Sequence, residues 1–565
     1  MRSFKLVYIV PLALMGFVLI GYVLYPFVMT ILGSLHVNGE FSFAHYQSLL
    51  DPASRTHWEA VWNSVFISIL SVLFSGIVGV FFAVVFTQFD FPLRRALSRV
   101  AVLPIALPPL VGVIAFLFVY GESGFVPRAI QAILMLERVP LYLEGRTAII
   151  VVHVYSFYVY FYLFVSTALR QLDSSIIEAA SSLGSSSWRT FLRVVLPELR
   201  PALIGGSILT FMASMASFSA PFLFGGEHRF MTTQIYSTKL NGELDLAAAQ
   251  SVLLTLVSIG FFVALHLTGW SRTSTRRSKG VARVSSLRVS RMTEVTMVAV
   301  SVVALLVEML PIITILIISF VQEGSWTWQI LPTSYTIQNY AKLLSDVHML
   351  EPLRNSFLMS VMTVVAALLV GVVAAYLLTK GGLRRSKILV DVVMTLPYAV
   401  PGTAVAIGLI IAFNAPTVFT GYTVLVGSFW ILPLAYFVRT YPLVVRSTAA
   451  ALEQLDDTLM EAAETFGAGV LRRFRKIALP IILPGIVSGC LLTMIAALGE
   501  FVSSILLYTY SSRPVSIEIL SQLRAYNFGP AAAYCVVLLI MILALTFISN
   551  LITRRSLAGS NGFNF

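Results

Sequence analysis

Residues 178–206 read EAASSLGSSSWRTFLRVVLPELRPALIGG, and residues 461–489 read EAAETFGAGVLRRFRKIALPIILPGIVSG. Aligned without a gap, they share Glu178-Ala179-Ala180 with Glu461-Ala462-Ala463, Gly184 with Gly467, Leu196-Pro197 with Leu479-Pro480, Pro201 with Pro484 and Gly206 with Gly489. Every pair is displaced by 283 residues. Constant displacement over so many positions marks an internal duplication. Leu455, Leu459, Ala462 and Phe466 fall at i, i+4, i+7 and i+11, the apolar face of a short helix. Gly184 and Gly467 then suit a helix terminus. Trp188, Phe191, Leu192 and Val195 make a second apolar stripe in the first copy, and Arg472, Arg473, Arg475 and Lys476 follow in the second. The expectation is a helix, a turn and another helix on a membrane surface, leading into a proline-marked span.

The repetition extends outward. Asn63-Ser64 recurs as Asn355-Ser356 and Gly79 as Gly371, both displaced by 292. Leu93-Arg94-Arg95 recurs as Leu383-Arg384-Arg385, and Leu103-Pro104 with Pro108 as Leu396-Pro397 with Pro401. Around these markers lie apolar runs near 6–33, 61–87, 100–120, 147–169, 201–224 and 246–270, then 294–320, 355–379, 388–413, 419–445, 482–508 and 530–553. A membrane span needs about 20 apolar residues, and the continuity of these runs is unlike the alternating strands of a β-barrel. The predicted fold is all-α: a polytopic membrane protein of about 12 transmembrane helices in two pseudo-symmetric six-helix halves. The halves are 1–270 and 294–565, joined by a linker at 271–293, with the duplicated loops at 173–200 and 452–483. Six is even, so both halves enter the bilayer from one face and are parallel repeats, with a shared path between them.

Composition agrees. Of 565 residues 58% are apolar and 11% charged, which excludes a water-soluble protein. Lys and Arg number 38 against 26 acidic residues, a net charge of +12. Of those 38, 28 fall in loops on the side of the N-terminus, Arg439 included, so the positive-inside rule puts both termini in the cytoplasm. The linker carries seven basic residues and no acidic one. It reads as a solvated cytoplasmic segment able to touch anionic membrane lipid, and no nucleic-acid partner is expected. The first apolar run exceeds the ~15 residues of a signal-peptide core and reads as an uncleaved span. Cys490 and Cys535 sit in apolar stretches, as small buried residues rather than a disulfide or metal set.

On the duplicated loop the sequence resembles the permease subunits of ATP-binding cassette (ABC) importers. Their cytoplasmic loop carries Glu-Ala-Ala, three residues, Gly, then about eleven residues to Leu-Pro. The resemblance covers nearly the whole chain and implies the type I importer fold, with two permease domains fused. It further implies that Glu178, Ala179, Ala180 and Gly184, with Glu461, Ala462, Ala463 and Gly467, couple to ATPase subunits, one per loop. The expected partners are therefore two copies of an ABC ATPase and a periplasmic or lipid-anchored solute-binding protein. No phosphate-binding Gly-x-x-x-x-Gly-Lys-Ser/Thr loop occurs in the chain, so ATP and Mg are expected on the partner ATPase. No cofactor and no catalytic residue are expected here, and the location is the bacterial inner membrane. Ser217-Phe218-Ser219-Ala220-Pro221 with Gly225-Gly226, and Gly499-Glu500-Phe501, look most like ferric iron permeases. Thiamine, polyamine and aminoethylphosphonate permeases are alternatives of the same class.

Ionisable groups inside spans cost about 2.5–3.5 kcal/mol on insertion scales and point to function by default. Glu500 lies sixteen residues past Pro484, about 24 Å along a helix, and its counterpart is Ser217. Glu500 with Ser214, Ser217, Ser219, Ser503 and Ser504 are the candidate path residues, against the competing reading that small hydroxyls serve helix packing. Glu308 calls for a buried partner or protonation, and His153 and His266 read as packed histidines. Tyr155, Tyr158 and Tyr162 at helical spacing read as packing and hydrogen bonding rather than as iron ligands. No His-x-x-x-His or Cys-x-x-Cys array points to a resident metal. The rival class is a secondary transporter driven by an ion gradient, which also shows parallel repeats. A membrane enzyme lacks any clustered catalytic set.

Overall fold

The computed structural model describes residues 13–37, 39–139, 141–267, 290–326, 329–379 and 387–560. Most of the basic linker and the second Leu-Arg-Arg copy at 383–385 lie outside the described residues, as does the His266 side chain.

In the first half the helices used below are α1 (Ala13–Ser34), α2 (Arg55–Gln88), α3 (Pro109–Tyr120), α4 (Gly145–Gln171), α5 (Ser174–Ser182), α6 (Arg200–Met215), α7 (Ser219–Phe224) and α8 (Leu244–Leu267). The second half supplies α9 (Arg291–Ile318), α10 (Val347–Thr379), α11 (Gly402–Phe413), α12 (Ile431–Glu453), α13 (Asp457–Thr465), α14 (Leu479–Leu498), α15 (Val502–Leu507) and α16 (Phe528–Ser560). Among the described residues nine helices are long and apolar enough to cross a membrane, and two bent pairs raise the count to 11. The remaining expected position is held by α12, where Arg439 and Arg446 interrupt an otherwise apolar sequence. The sharper bend has a chemical cause. Val393–Ala399 turns by 116° into α11 at Val400-Pro401, because a residue before proline is pushed out of the helical region.

Each half is built on a three-helix unit: α2, α4 and α6 pack together, as do α10, α12 and α14. The repeated glycines explain how closely. A Cβ on Gly79 would lie 2.5 Å from the Tyr158 carbonyl and the Phe161 Cβ, and one on Gly371 would lie 2.9 Å from Val444. Gly206 and Gly489 approach the same two positions from α6 and α14. Small residues permit this approach where lipid gives helices no hydrophobic reason to associate. The Asn-Ser pairs also have a physical role. Asn63 Nδ2 donates to the Arg229 carbonyl at 3.0 Å, and Ser64 Oγ accepts from the Met231 N–H at 2.9 Å. Asn355 and Ser356 do the same to Arg513 and Val515, at 3.2 and 2.8 Å.

The halves interlock through their first helices. α1 packs between α8 of its own half and α11 of the other, while α9 packs between α16 and α3. The aligned spans were expected to run unbroken over 201–224 and 482–508. Instead α6 stops at Met215 and α14 at Leu498, each followed by a short helix. A break inside a membrane leaves carbonyls without intrahelical donors. Here hydroxyls supply them: Thr232 Oγ1 donates to the Ser217 carbonyl at 2.7 Å, and Ser504 and Ser516 donate to the Glu500 carbonyl at 2.7 and 2.8 Å.

Candidate functional site

The two Glu-Ala-Ala segments form α5 and α13, and they are built alike. Asp173 caps α5 by accepting from the Ser175 N–H at 2.9 Å, and Asp456 caps α13 through Thr458 at 2.9 Å, satisfying a donor that a helix start leaves free. At the other end Gly184 and Gly467 both adopt φ +77°. The Gly184 N–H bonds the Ser181 carbonyl and the Ser185 N–H that of Ala180. Gly467 and Ala468 repeat this onto Glu464 and Ala463, with distances of 2.8–3.0 Å in all four. This is the Schellman termination, which needs a left-handed residue and hence favours glycine. A Cβ on either glycine would meet nothing within 4 Å, so backbone conformation and not crowding selects Gly.

Glu178, Ala179, Glu461 and Ala462 are exposed, while Ala180 and Ala463 are half-buried. Beyond them, the last residue before each glycine is a large apolar one facing outward: Leu183 is 88% exposed and Phe466 91%. Trp188, also exposed, stacks on Phe191 at 6.1 Å. Each loop thus offers a short capped helix with an apolar tip, the shape of a helix that fits a partner's groove.

The second cluster lies where α6 and α14 break. Glu500 is 8% exposed, and its Oε2 accepts from Arg439 Nη1 at 2.5 Å while its Oε1 accepts from the Ser503 N–H at 2.9 Å. Arg439, counted by sequence among the cytoplasmic charges, is the ion-pair partner of the buried Glu500. The guanidinium lies against Gly402, where a Cβ would come within 2.6 Å. In the first half the equivalent position is neutral. His153 contacts Ser217 through Nε2 at 2.9 Å and both Ser71 and Ser214 through Nδ1 at 3.0 Å, with Ser68 bonded to Ser214 at 3.0 Å. Ser504 bonds Tyr436, the residue 283 positions after His153, at 2.7 Å. Ser503 Oγ donates to the Gly402 carbonyl at 3.4 Å, and Ser219 Oγ is buried with no hydrogen bond.

No local pattern points to Arg439, because 61 residues separate it from Glu500. Once the structure joins His153 to Ser217, the repeat offset sets Tyr436 and Glu500 at the matching positions, and Arg439 lies one turn along from Tyr436. Glu308, on α9, is buried beside Tyr158 of the first half. Tyr158 itself donates to the Ala101 carbonyl at 2.7 Å, and Tyr155 packs on Phe116 with ring centres 4.8 Å apart. Among the described residues no three of His, Cys, Asp and Glu converge as metal ligands. Cys535 is buried, Cys490 is half-buried, and both are free thiols.

Comparison with known proteins agrees with this geometry. The protein described as a probable ABC transporter permease, y4fN of Sinorhizobium fredii, is 29% identical over 98% of this chain and 97% of its own. The ferric transport system permease protein FbpB of Actinobacillus pleuropneumoniae is 25% identical over 93% of this chain and 75% of its own. The molybdenum transport system permease protein ModB of Escherichia coli is 30% identical, covering 41% of this chain and 99% of its own length. The family model for the inner membrane component of binding-protein-dependent transport systems matches twice, over residues 75–268 and 367–557, once in each half. That double match falls on the two halves that each carry a capped Glu-Ala-Ala helix and a broken span, and the chain belongs to the family of binding-protein-dependent transport system inner membrane components.

Proposed function

We propose that this ABC importer permease conducts ferric iron across the bacterial inner membrane, driven by two ATPase subunits that grip α5 and α13. One observation carries the coupling: two equivalent helices, identically capped, present unpaired apolar tips at Leu183 and Phe466. What supports a docking role is the equivalence: the same exposed apolar tip ends the same capped helix in both halves, the form of a helix that enters a partner's groove. With ATP and Mg held by the partners, the ATPase pair closes and draws the two loops together. A solute-loaded periplasmic or lipid-anchored binding protein docks on the opposite face, and the halves move to an outward-open state. Hydrolysis returns them. The chain's part is conformational, a two-state equilibrium biased by partners with different affinity for each state. Both termini lie in the cytoplasm on this reading.

Ferric iron is supported by the relatives named as ferric transport permeases, which align along most of the chain. Relatives named for molybdenum and 2-aminoethylphosphonate align with less than half of it. The test is uptake into proteoliposomes containing the full chain, an ATPase pair and a binding protein. ATP-dependent accumulation of ferric iron is expected. Uptake of molybdate or aminoethylphosphonate instead would reassign the cargo, and uptake that survives omission of the ATPase would favour an ion-driven carrier.

A further inference from the structure

Phe218 and Phe501 occupy equivalent positions in the two halves, 283 residues apart, and they touch, with ring centres 5.7 Å apart. Equivalent residues of two parallel repeats can meet only at the axis that relates the repeats. That axis runs along the membrane normal, where parallel-repeat transporters place their path. The two rings therefore stand in the path itself, and both are buried there, at 1% and 2% exposure. Phe222 thickens the plug, 5.0 Å from Phe218 and 6.4 Å from Phe501, and Tyr236 packs edge-on against both Phe218 and Phe222 at 5.7 Å. Gly499 presses on Pro108 of the other half, with room for no Cβ: one would lie 2.9 Å from the proline ring.

Each ring directly follows a residue tethered to the helix that carries a coupling loop. Ser217 is bonded to His153 of α4, and Glu500 to Arg439 of α12. α4 leads through Asp173 into α5, and α12 through Asp456 into α13. One tether is a histidine–serine hydrogen bond and the other is an ion pair.

Resting on the importer reading, we propose that Phe218 and Phe501 are the gate that closes the solute path. In the same proposal His153 and Arg439 are positioning residues, tying that gate through Ser217 and Glu500 to the helices that end in the coupling loops. A displacement of α5 or α13 then moves the helix that holds the residue next to each ring. The rings separate when the two tethers are drawn apart, and hydrophobic closure returns when they relax.

The experiment uses the full chain alone in proteoliposomes, with potassium ions or carboxyfluorescein entrapped. Wild type is expected to be tight, and Phe218→Ala/Phe501→Ala to release potassium at least tenfold faster. Release at the wild-type rate from a double variant with normal helical content and melting would overturn the gate. A second variant covers misfolding: Phe501→Cys with Cys490→Ser and Cys535→Ser, probed with a membrane-impermeant maleimide. Labelling is expected to be slow with Phe218 present and at least fivefold faster with Phe218→Ala, and equal rates would overturn the gate. For the tether, Arg439→Ala is expected to accelerate labelling at position 501 severalfold, while Arg439→Lys restores the slow rate. An ion pair that only stabilises the fold would lower the melting midpoint and leave labelling unchanged, which would overturn the positioning role. ATPase-driven uptake is measured separately. Driven uptake without a leak in the double variant removes the gate and keeps the importer, and a leak without response to ATPase does the reverse.

Discussion

Arg439 on α12 and Glu500 at the end of α14 form a charge-assisted hydrogen bond of 2.5 Å inside the second half, and the two partners are unequally buried. The Arg439 side chain is 27% exposed and that of Glu500 8%. Removing the arginine therefore strands a buried carboxylate, while removing the glutamate leaves a guanidinium that is more than a quarter exposed. Breaking a buried pair costs about 3 kcal/mol when the survivor is uncompensated, and losing a hydrogen bond to a charged group about 1.5 kcal/mol. Arg439→Ala is expected to lower the melting midpoint in detergent more than Glu500→Gln does. The opposite order would show that the carboxylate is solvated.

The two Glu-Ala-Ala loops separate conformational need from contact. At φ +77° a side chain is strained by about 1–2 kcal/mol, yet nothing crowds the site. Gly184→Val and Gly467→Val should leave membrane insertion intact and reduce ATPase association and uptake. Gly184→Asn, which tolerates the left-handed region, should retain most of both. Equal loss from Asn and Val, measured by co-purification with the ATPase, would mean that the glycines act through contact.

Leu183 and Phe466, being 88% and 91% exposed, contribute almost nothing to folding. Leu183→Asp/Phe466→Asp is expected to keep the wild-type melting midpoint within about 0.5 kcal/mol equivalent and to abolish ATPase capture. Undiminished capture by this variant would remove the apolar tips from the interface.

Gly79 and Gly371 mark the same close approach with different tolerance. A methyl group at 79 meets a backbone carbonyl at 2.5 Å, whereas at 371 it meets the Val444 side chain at 2.9 Å. Overpacking costs about 1–3 kcal/mol, and a side chain yields more easily than a carbonyl. Gly79→Ala should therefore destabilise more than Gly371→Ala in thermal unfolding. Equal shifts would show that the first half repacks as readily as the second.

The sequence by itself determined the class, the duplication and the two glycine-ended Glu-Ala-Ala helices, because each is written in local terms. Apolar runs report spans through their length, an exact repeat offset reports symmetry, and a left-handed turn after a short helix demands glycine at that position whatever surrounds it. The Asn-Ser pairs and the glycines of α2 and α10 were visible as repeats, although their partners were not. Only the tertiary structure decided which residues meet across long separations: Arg439 with Glu500, His153 with Ser217, and Phe218 with Phe501 on the axis. It also decided that α6 and α14 break, since continuous hydropathy looks the same whether a helix runs on or turns onto hydroxyls that satisfy its carbonyls. The interlocking of α1 and α9 with the opposite halves was likewise hidden. Lipid-facing and partner-facing residues are equally apolar, so burial against a neighbouring helix leaves no signature until the chain is folded.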